Sequence, residues 1–316
     1  MIDTIRVKYV RPMSREQLAD WDLHTCFKPD LTISRRFILN TSLDLGPPDG
    51  ALLGCRVSIR ATYFPVDYQG NSILTIELSL PKAVFGNNFT MIRDLPAATA
   101  TANQLLTRIP VLPPVDLAEG ILIRLDACYN HQVGALVPDY INALGTLDYP
   151  HRRTKLHRNE GAEFRSKHAT TKFYDKLQEA GHPDAKGILR QESTFLKAKR
   201  IAALIGKEQP TLADVTPDWV AAVLRSDLER LKLQDRTIAD TDTALAVLCK
   251  TYGSDAGMMY FGLIKASQTT SKRALPAQTG HPPRRLDRRL KAITDAGIAR
   301  TLTETHHPLP PLVIDL

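Results

Sequence analysis

Cysteine is scarce in this chain and none of it is paired: Cys26, Cys55, Cys128 and Cys249 stand far apart, with no C-x-x-C among them. That spacing excludes a zinc knuckle and a secreted disulfide framework. Three of the four lie among apolar neighbours, where a small buried thiol is the ordinary role. No apolar run is long enough to span a bilayer, and the first residues carry no charged-then-apolar export pattern. A cytoplasmic protein with no membrane partner is expected. Aromatic residues make up only 6% of the chain and form no base-stacking motif, so RNA binding has no support. Internal repeats and low-complexity segments are also missing.

What remains is an ordinary globular composition with an uneven charge. The 316 residues are 43% hydrophobic and 24% charged, enough for one large or two ordinary domains with a real core. The net charge of +7 is not spread evenly. Residues 151–200 hold thirteen Lys and Arg against six Asp and Glu, and residues 272–300 hold eight against two. Residues 1–150 and 201–271 are each slightly acidic. Clustered cations are the electrostatic footprint of a polyanion, most often nucleic acid. In the first block Arg152, Arg153, Lys155, Arg165, Lys167 and His168 are candidate DNA contacts; in the second, Arg284, Arg285, Arg288 and Arg289 are.

Alternation predicts strands over 1–10, 73–80, 121–128 and 188–197, and a hairpin pairing 162–166 with 170–177. A turn is expected at 64–72 and a loop at 86–88. Helices are expected over 95–108 and 133–147, from the Thr216-Pro217-Asp218 cap to 233, over 240–252, and over 286–293 as a basic helix. This order implies an α+β fold, a largely antiparallel sheet with helices on one face, followed by a helical carboxyl-terminal region. Residues 1–200 are expected as one domain and 201–316 as a helical DNA-binding or accessory region.

Within that sheet, Glu77, Asp126 and Glu192 each sit on the non-apolar face of a strand, and Tyr174 lies between Lys172 and Lys176. On a strand, residues two apart share a face, so both lysines would flank the phenol. Positive neighbours favour a phenolate, the form that attacks phosphorus. Two or three converging carboxylates suit Mg²⁺ or Mn²⁺, which polarise phosphodiesters. Arg124 and Arg190 would hold the DNA backbone or the phenolate. Each piece has a plainer reading: Tyr174 packed with lysines at its rim, Asp126 salt-bridged to Arg124, Glu192 to Arg190.

The amino-terminal Met-Ile-Asp, the run 76–88 (IELSLPKAVFGNN), Arg124-Leu125-Asp126, Phe173-Tyr174-Asp175-Lys176 and Leu189-Arg190-Gln191-Glu192 occur in that order. Together they resemble the gene II replication-initiation proteins of filamentous bacteriophages and, more distantly, rolling-circle initiators of some Gram-positive plasmids. The resemblance covers roughly residues 1–200. It implies a nicking and joining endonuclease that cuts one strand of double-stranded origin DNA, stays linked to the 5′-phosphate through tyrosine, and later rejoins the displaced single strand. Tyr174 matches the nucleophile, Asp126 and Glu192 match acidic positions that serve a metal, and Glu77 matches an acidic position of less defined role. Host polymerase and helicase would be partners, in the cytoplasm of a bacterial host cell. None of the nine histidines forms the His-apolar-His pair of many rolling-circle nucleases, so any metal would rest on carboxylates. His306 and His307 lie in a Pro-rich tail, and Tyr129 is a candidate second tyrosine.

Other readings use part of the same residues. A non-catalytic, sequence-specific DNA-binding regulator would need the basic helix but has no use for acids beside phosphate. A tyrosine recombinase would rest on Arg and His clusters without metal, and a globular protein with an incidental basic surface needs none of these residues.

Overall fold

The structure is a computed structural model that describes residues 1–12, 22–27, 33–43, 55–63, 71–109, 112–157, 160–269 and 274–315. The turn expected at 64–72 falls mostly outside them. In chain order the strands and helices are β1 (Ile2–Pro12), β2 (Asp22–Phe27), β3 (Ile33–Leu43), β4 (Cys55–Tyr63), β5 (Asn71–Ser79), α1 (Leu80–Phe85), α2 (Leu95–Leu106), β6 (Ile121–Gln132) and α3 (Val137–Gly145). There follow β7 (Arg153–His157), β8 (Gly161–Arg165), β9 (Ala169–Asp175), α4 (Lys176–Ala180), β10 (Ile188–Phe195), α5 (Ala198–Ile205), α6 (Pro217–Arg230), α7 (Thr241–Tyr252), α8 (Ser254–Thr269), α9 (Leu275–Thr279) and α10 (Pro283–Asp295). The protein is a mixed helix and sheet fold, of the α+β kind, and the registered strand pairs are all antiparallel. No helix among the described residues is long and apolar enough to cross a membrane.

The chain forms two compact units, and they do not divide near residue 200. One consists of Met1–Cys128 with Thr194–Val220, the other of Tyr129–Ser193 with Ala221–Leu316. In the first, the strand order is β2-β3-β4-β5-β1-β6. Ile5, Val7, Leu74, Ile76 and Leu78 are buried, while Arg6, Lys8, Thr75 and Glu77 are half-exposed. Period-two burial of this kind sorts an apolar face from a polar one. Ser79 ends β5 because Pro81 suits the first turn of a helix, and α1 closes on Gly86, which has φ 70°.

One irregularity in this sheet decides where the charges go. Arg6 faces Arg124 in the β1–β6 ladder, but Val7 faces Leu122, so β6 carries an extra residue, Ile123. That bulge puts Leu122 and Leu125 together in the core. Plain alternation over 121–128 would put Ile121, Ile123, Leu125 and Ala127 on one face, and the bulge breaks that stripe. Arg124 instead lies in one cross-strand row with Arg6 and Glu77.

In the second unit the strand order is β10-β9-β8-β7. Thr171, Phe173, Phe164 and Ala162 are buried on one face, and α3 packs against β7, β8 and β9. Helices α7 to α10 bury Leu248, Leu263, Ile264, Leu275, Leu286, Leu290 and Ile293 together. The Pro- and Gly-containing stretch 274–283 holds the short helix α9.

Candidate active site

The β8–β9 hairpin and the edge strand β7 set the geometry of the site. In register, Gly161 faces Tyr174, Glu163 faces Lys172, and Arg165 faces Thr170. The next ladder adds His157 opposite Gly161, Lys155 opposite Glu163, and Arg153 opposite Arg165. Directly paired residues point to the same side of a sheet. One face of this sheet thus carries Arg153, Lys155, Arg165, Lys172 and Tyr174, with Glu163 as the acid set among them. Arg153, Lys155 and Arg165 are exposed; Lys172, Tyr174 and Glu163 are half-buried. Lys167 and His168 are exposed in the turn that joins the two strands. There Ser166 Oγ accepts from the amides of His168 and Ala169.

From β10, Glu192 reaches the same face. Tyr174 Oη donates to Glu192 Oε2 at 3.0 Å. A carboxylate at this distance can take the phenol proton, which is the arrangement an activated oxygen nucleophile needs. Gly161 has a role that strand alternation alone does not show. A Cβ there would lie 2.7 Å from Tyr174 Cβ and 2.5 Å from the Phe173 carbonyl oxygen, so a side chain at 161 would displace the tyrosine. A glycine inside a strand was the available signal.

Lys176 is not where strand alternation puts it. Asp175 ends β9 and caps α4, its carboxylate accepting from Leu177 N at 2.9 Å. Lys176 therefore starts a helix, fully buried, with its ammonium paired to Glu179 and 5.5 Å from the Tyr174 ring centroid. It remains a cation beside the phenol ring, but from inside the protein. Arg190, expected as a DNA contact, is also fully buried, and its Nη1 donates to Asn130 Oδ1 at 3.2 Å. Arg152 is another correction. Its guanidinium lies 3.9 Å over the Tyr149 ring and 3.7 Å from Asp227, in the interior rather than toward DNA.

In the first unit, the row created by the bulge is a charge network. Arg124 Nη1 donates to Glu77 Oε1 at 2.5 Å, and Arg6 holds Glu77 Oε2. Arg124 Nη2 and Nε reach the two oxygens of Asp126 at 2.6 Å and 3.2 Å. Arg124 is thus a bridge between carboxylates instead of a DNA contact. Both oxygens of each acid face guanidinium groups, and Glu192 belongs to the other unit. As arranged here these side chains do not fit a divalent ion, and among the described residues no group of three His, Cys, Asp or Glu could hold one.

On α10, Arg284, Arg285 and Arg288 are exposed and Arg289 is half-buried against His281 Nε2. His306 and His307 are exposed. Tyr129 lines a cavity of about 340 Å³ with His131, Tyr140 and the tail residues Pro310 to Val313. Burial pushes the His131 imidazole from 6.5 down to about 4, partly offset by its contacts with Gln191 and Val313. Between those two values the unfolded chain binds a proton that the folded chain does not. Stability should therefore be complete above pH 6.5 and fall, by about 3 kcal/mol, as pH drops toward 4. Urea unfolding at pH 7 and pH 4.5 checks this, with His131→Gln expected to flatten the slope.

No protein-family model matches the chain, and no curated protein matches its sequence. Among solved structures, it aligns with DynU16, a putative protein of the dynemicin biosynthetic locus, at 14% identity over 72% of this chain and 99% of that one, with a TM-score of 0.20. It also aligns with the di-domain ARO/CYC StfQ of the steffimycin biosynthetic pathway, at 9% identity over 72% and 95%, with a TM-score of 0.22. Superpositions at this level carry no argument about fold or function.

Proposed function

We propose that this protein is a replication initiator that nicks one strand of double-stranded phage or plasmid origin DNA through Tyr174 and later rejoins the product. The observation that carries the reading is the 3.0 Å hydrogen bond from Tyr174 to Glu192 on a sheet face that also bears Arg153, Lys155, Arg165 and Lys172. Glu192 takes the phenol proton as Tyr174 Oη bonds to phosphorus and the P–O3′ bond breaks. The leaving 3′-oxygen takes the proton from Glu192 and becomes the hydroxyl that primes a host polymerase. Lys176, paired to Glu179, keeps its ammonium 5.5 Å from the Tyr174 ring centroid. The phosphotyrosyl link keeps a phosphodiester's bond energy, so the reverse attack by a 3′-hydroxyl rejoins the strand. Mg²⁺ or Mn²⁺, implied by the resemblance, would have to displace Arg124 from Asp126, and no step above uses it. The setting is the cytoplasm of a bacterial host, with a host helicase opening the duplex.

The test is incubation with supercoiled origin plasmid, with and without Mg²⁺, followed by a search for protein covalently joined to a 5′ end. Relaxation without an adduct, or an adduct on another residue, would overturn the reading.

The exposed arginines of α10 favour a second reading, a DNA-binding regulator without chemistry. Arg284, Arg285 and Arg288 stand on the helix side opposite the buried Leu286, Leu290 and Ile293. Replacing all three by Ala should weaken duplex binding and reduce the slope of log affinity against log salt by about 3. Salt-insensitive binding would remove α10 from the interface. In the regulator reading these variants lose binding while the wild type forms no adduct.

A further inference from the structure

We propose that Asp227 is a positioning residue that holds β9 and β10 in the offset at which Tyr174 meets Glu192. The proposal rests on reading Tyr174 as the nucleophile. Asp227 projects from α6 into the interior and is only 5% exposed. Its Oδ2 accepts a hydrogen bond from Thr171 Oγ1 at 2.8 Å and another from Ser193 Oγ. Its Oδ1 accepts from Tyr149 Oη at 2.6 Å, with the Arg152 guanidinium 3.7 Å away. Thr171 lies three residues before Tyr174 on β9, on the opposite face, and Ser193 directly follows Glu192 on β10. A single carboxylate oxygen therefore receives one hydroxyl from each of the two strands that carry the reacting pair.

Two strands tied to one atom cannot slide past each other. A slip of one residue, about 3.3 Å, would break the tie and flip Tyr174 to the other side. Hydrogen bonds to a charged acceptor are roughly twice as strong as neutral ones, which makes the tie stiff. Burying a carboxylate is costly, and a packed apolar group in its place is often as stable or more so. What the carboxylate adds that a leucine could not is directional restraint on both strands. Arg152 completes the assembly by donating to Thr171 Oγ1 while it faces Asp227, which fixes the hydroxyl's rotamer.

The experiment uses the full-length protein with Thr171→Val, Ser193→Ala and Asp227→Asn. Two readouts are taken: kcat and KM for nicking supercoiled origin DNA, and the ¹³Cζ resonance of Tyr174, assigned by its loss in Tyr174→Phe. A positioning role predicts that kcat falls roughly 10- to 100-fold with KM unchanged. It also predicts that the Tyr174 resonance moves in all three variants. Should Asp227→Asn fail to fold, the two hydroxyl variants decide, since each keeps the carboxylate. Variants that fold, nick at the wild-type rate and leave the Tyr174 resonance unmoved would overturn the proposal. If the wild type forms no adduct, the nickase reading fails by itself, and the resonance still reports whether Asp227 sets the Tyr174–Glu192 contact.

Discussion

On the proposed mechanism, a Tyr174→Phe protein will bind origin duplex with wild-type affinity and form no covalent protein–DNA species. The substitution removes one oxygen that lies 3.0 Å from Glu192 and leaves the ring, Lys172 and the exposed arginines of the same face in place. Losing a nucleophile outright costs on the order of 10⁴- to 10⁶-fold in turnover, far more than any change in binding would. Glu192→Gln is the companion. Its amide fills the same volume but takes up no proton, so nicking should drop by roughly 10²- to 10⁴-fold, with a partial recovery at high pH, where the phenol ionises unaided. Gel electrophoresis of supercoiled plasmid separates the two outcomes from simple failure to bind. Nicking by Tyr174→Phe at the wild-type rate would move the nucleophile elsewhere.

The second large effect is on stability. Arg124→Ala should destabilise the protein by about 3–5 kcal/mol, because it removes the two-point ion pair from the Asp126 carboxylate, whose side chain is only 3% exposed, and one of the two guanidinium contacts of Glu77. Urea unfolding measures the change. Arg6→Ala should cost less, since its ion pair among the described residues is with Glu77, which keeps Arg124, and Arg6 is itself 32% exposed. Equal losses for the two would show that the carboxylates are wetter than the structure indicates. The same experiment bears on metal chemistry. If Mg²⁺ stabilises Arg124→Ala and leaves wild type unmoved, the ion takes the place that the guanidinium holds.

Much of this was legible in the residues, for physical reasons that can be named. The β8–β9 hairpin follows from alternation on both sides of a polar turn, and its parity sets Lys172 and Tyr174 on one face with Arg165 and Glu163 opposite their neighbours. β5 follows equally from the stripe Leu74, Ile76 and Leu78. What alternation cannot show is a bulge. Ile123 breaks the period by one, and only the ladder reveals that Arg124 lands beside Glu77. Nor does a strand pattern foresee its own cap, so Lys176 reads as strand although Asp175 starts a helix there. β7 reads Arg-Thr-Lys-Leu-His, with a single apolar side chain, because an edge strand is kept polar and seldom alternates cleanly. α8 is obscured differently. Gly257 lies against Cys249 of α7, a close approach of two helices that looks in sequence like a helix breaker. Asp227 was invisible because an acid set among Arg225, Glu229 and Arg230 in a helix looks solvated until its three hydroxyl partners are seen.

The interleaving of the two units has a consequence for how the protein is made. The first unit needs residues 194–220 and the second needs everything from 221 onward, so neither is complete when residue 200 leaves the ribosome. The strands bearing Tyr174 and Glu192 emerge well before Asp227, and for that interval nothing from α6 fastens them. On the proposed mechanism the nascent chain should not hold Tyr174 against Glu192 until residue 227 has emerged, and ending the gene near codon 200 should yield an insoluble fragment rather than a minimal nuclease.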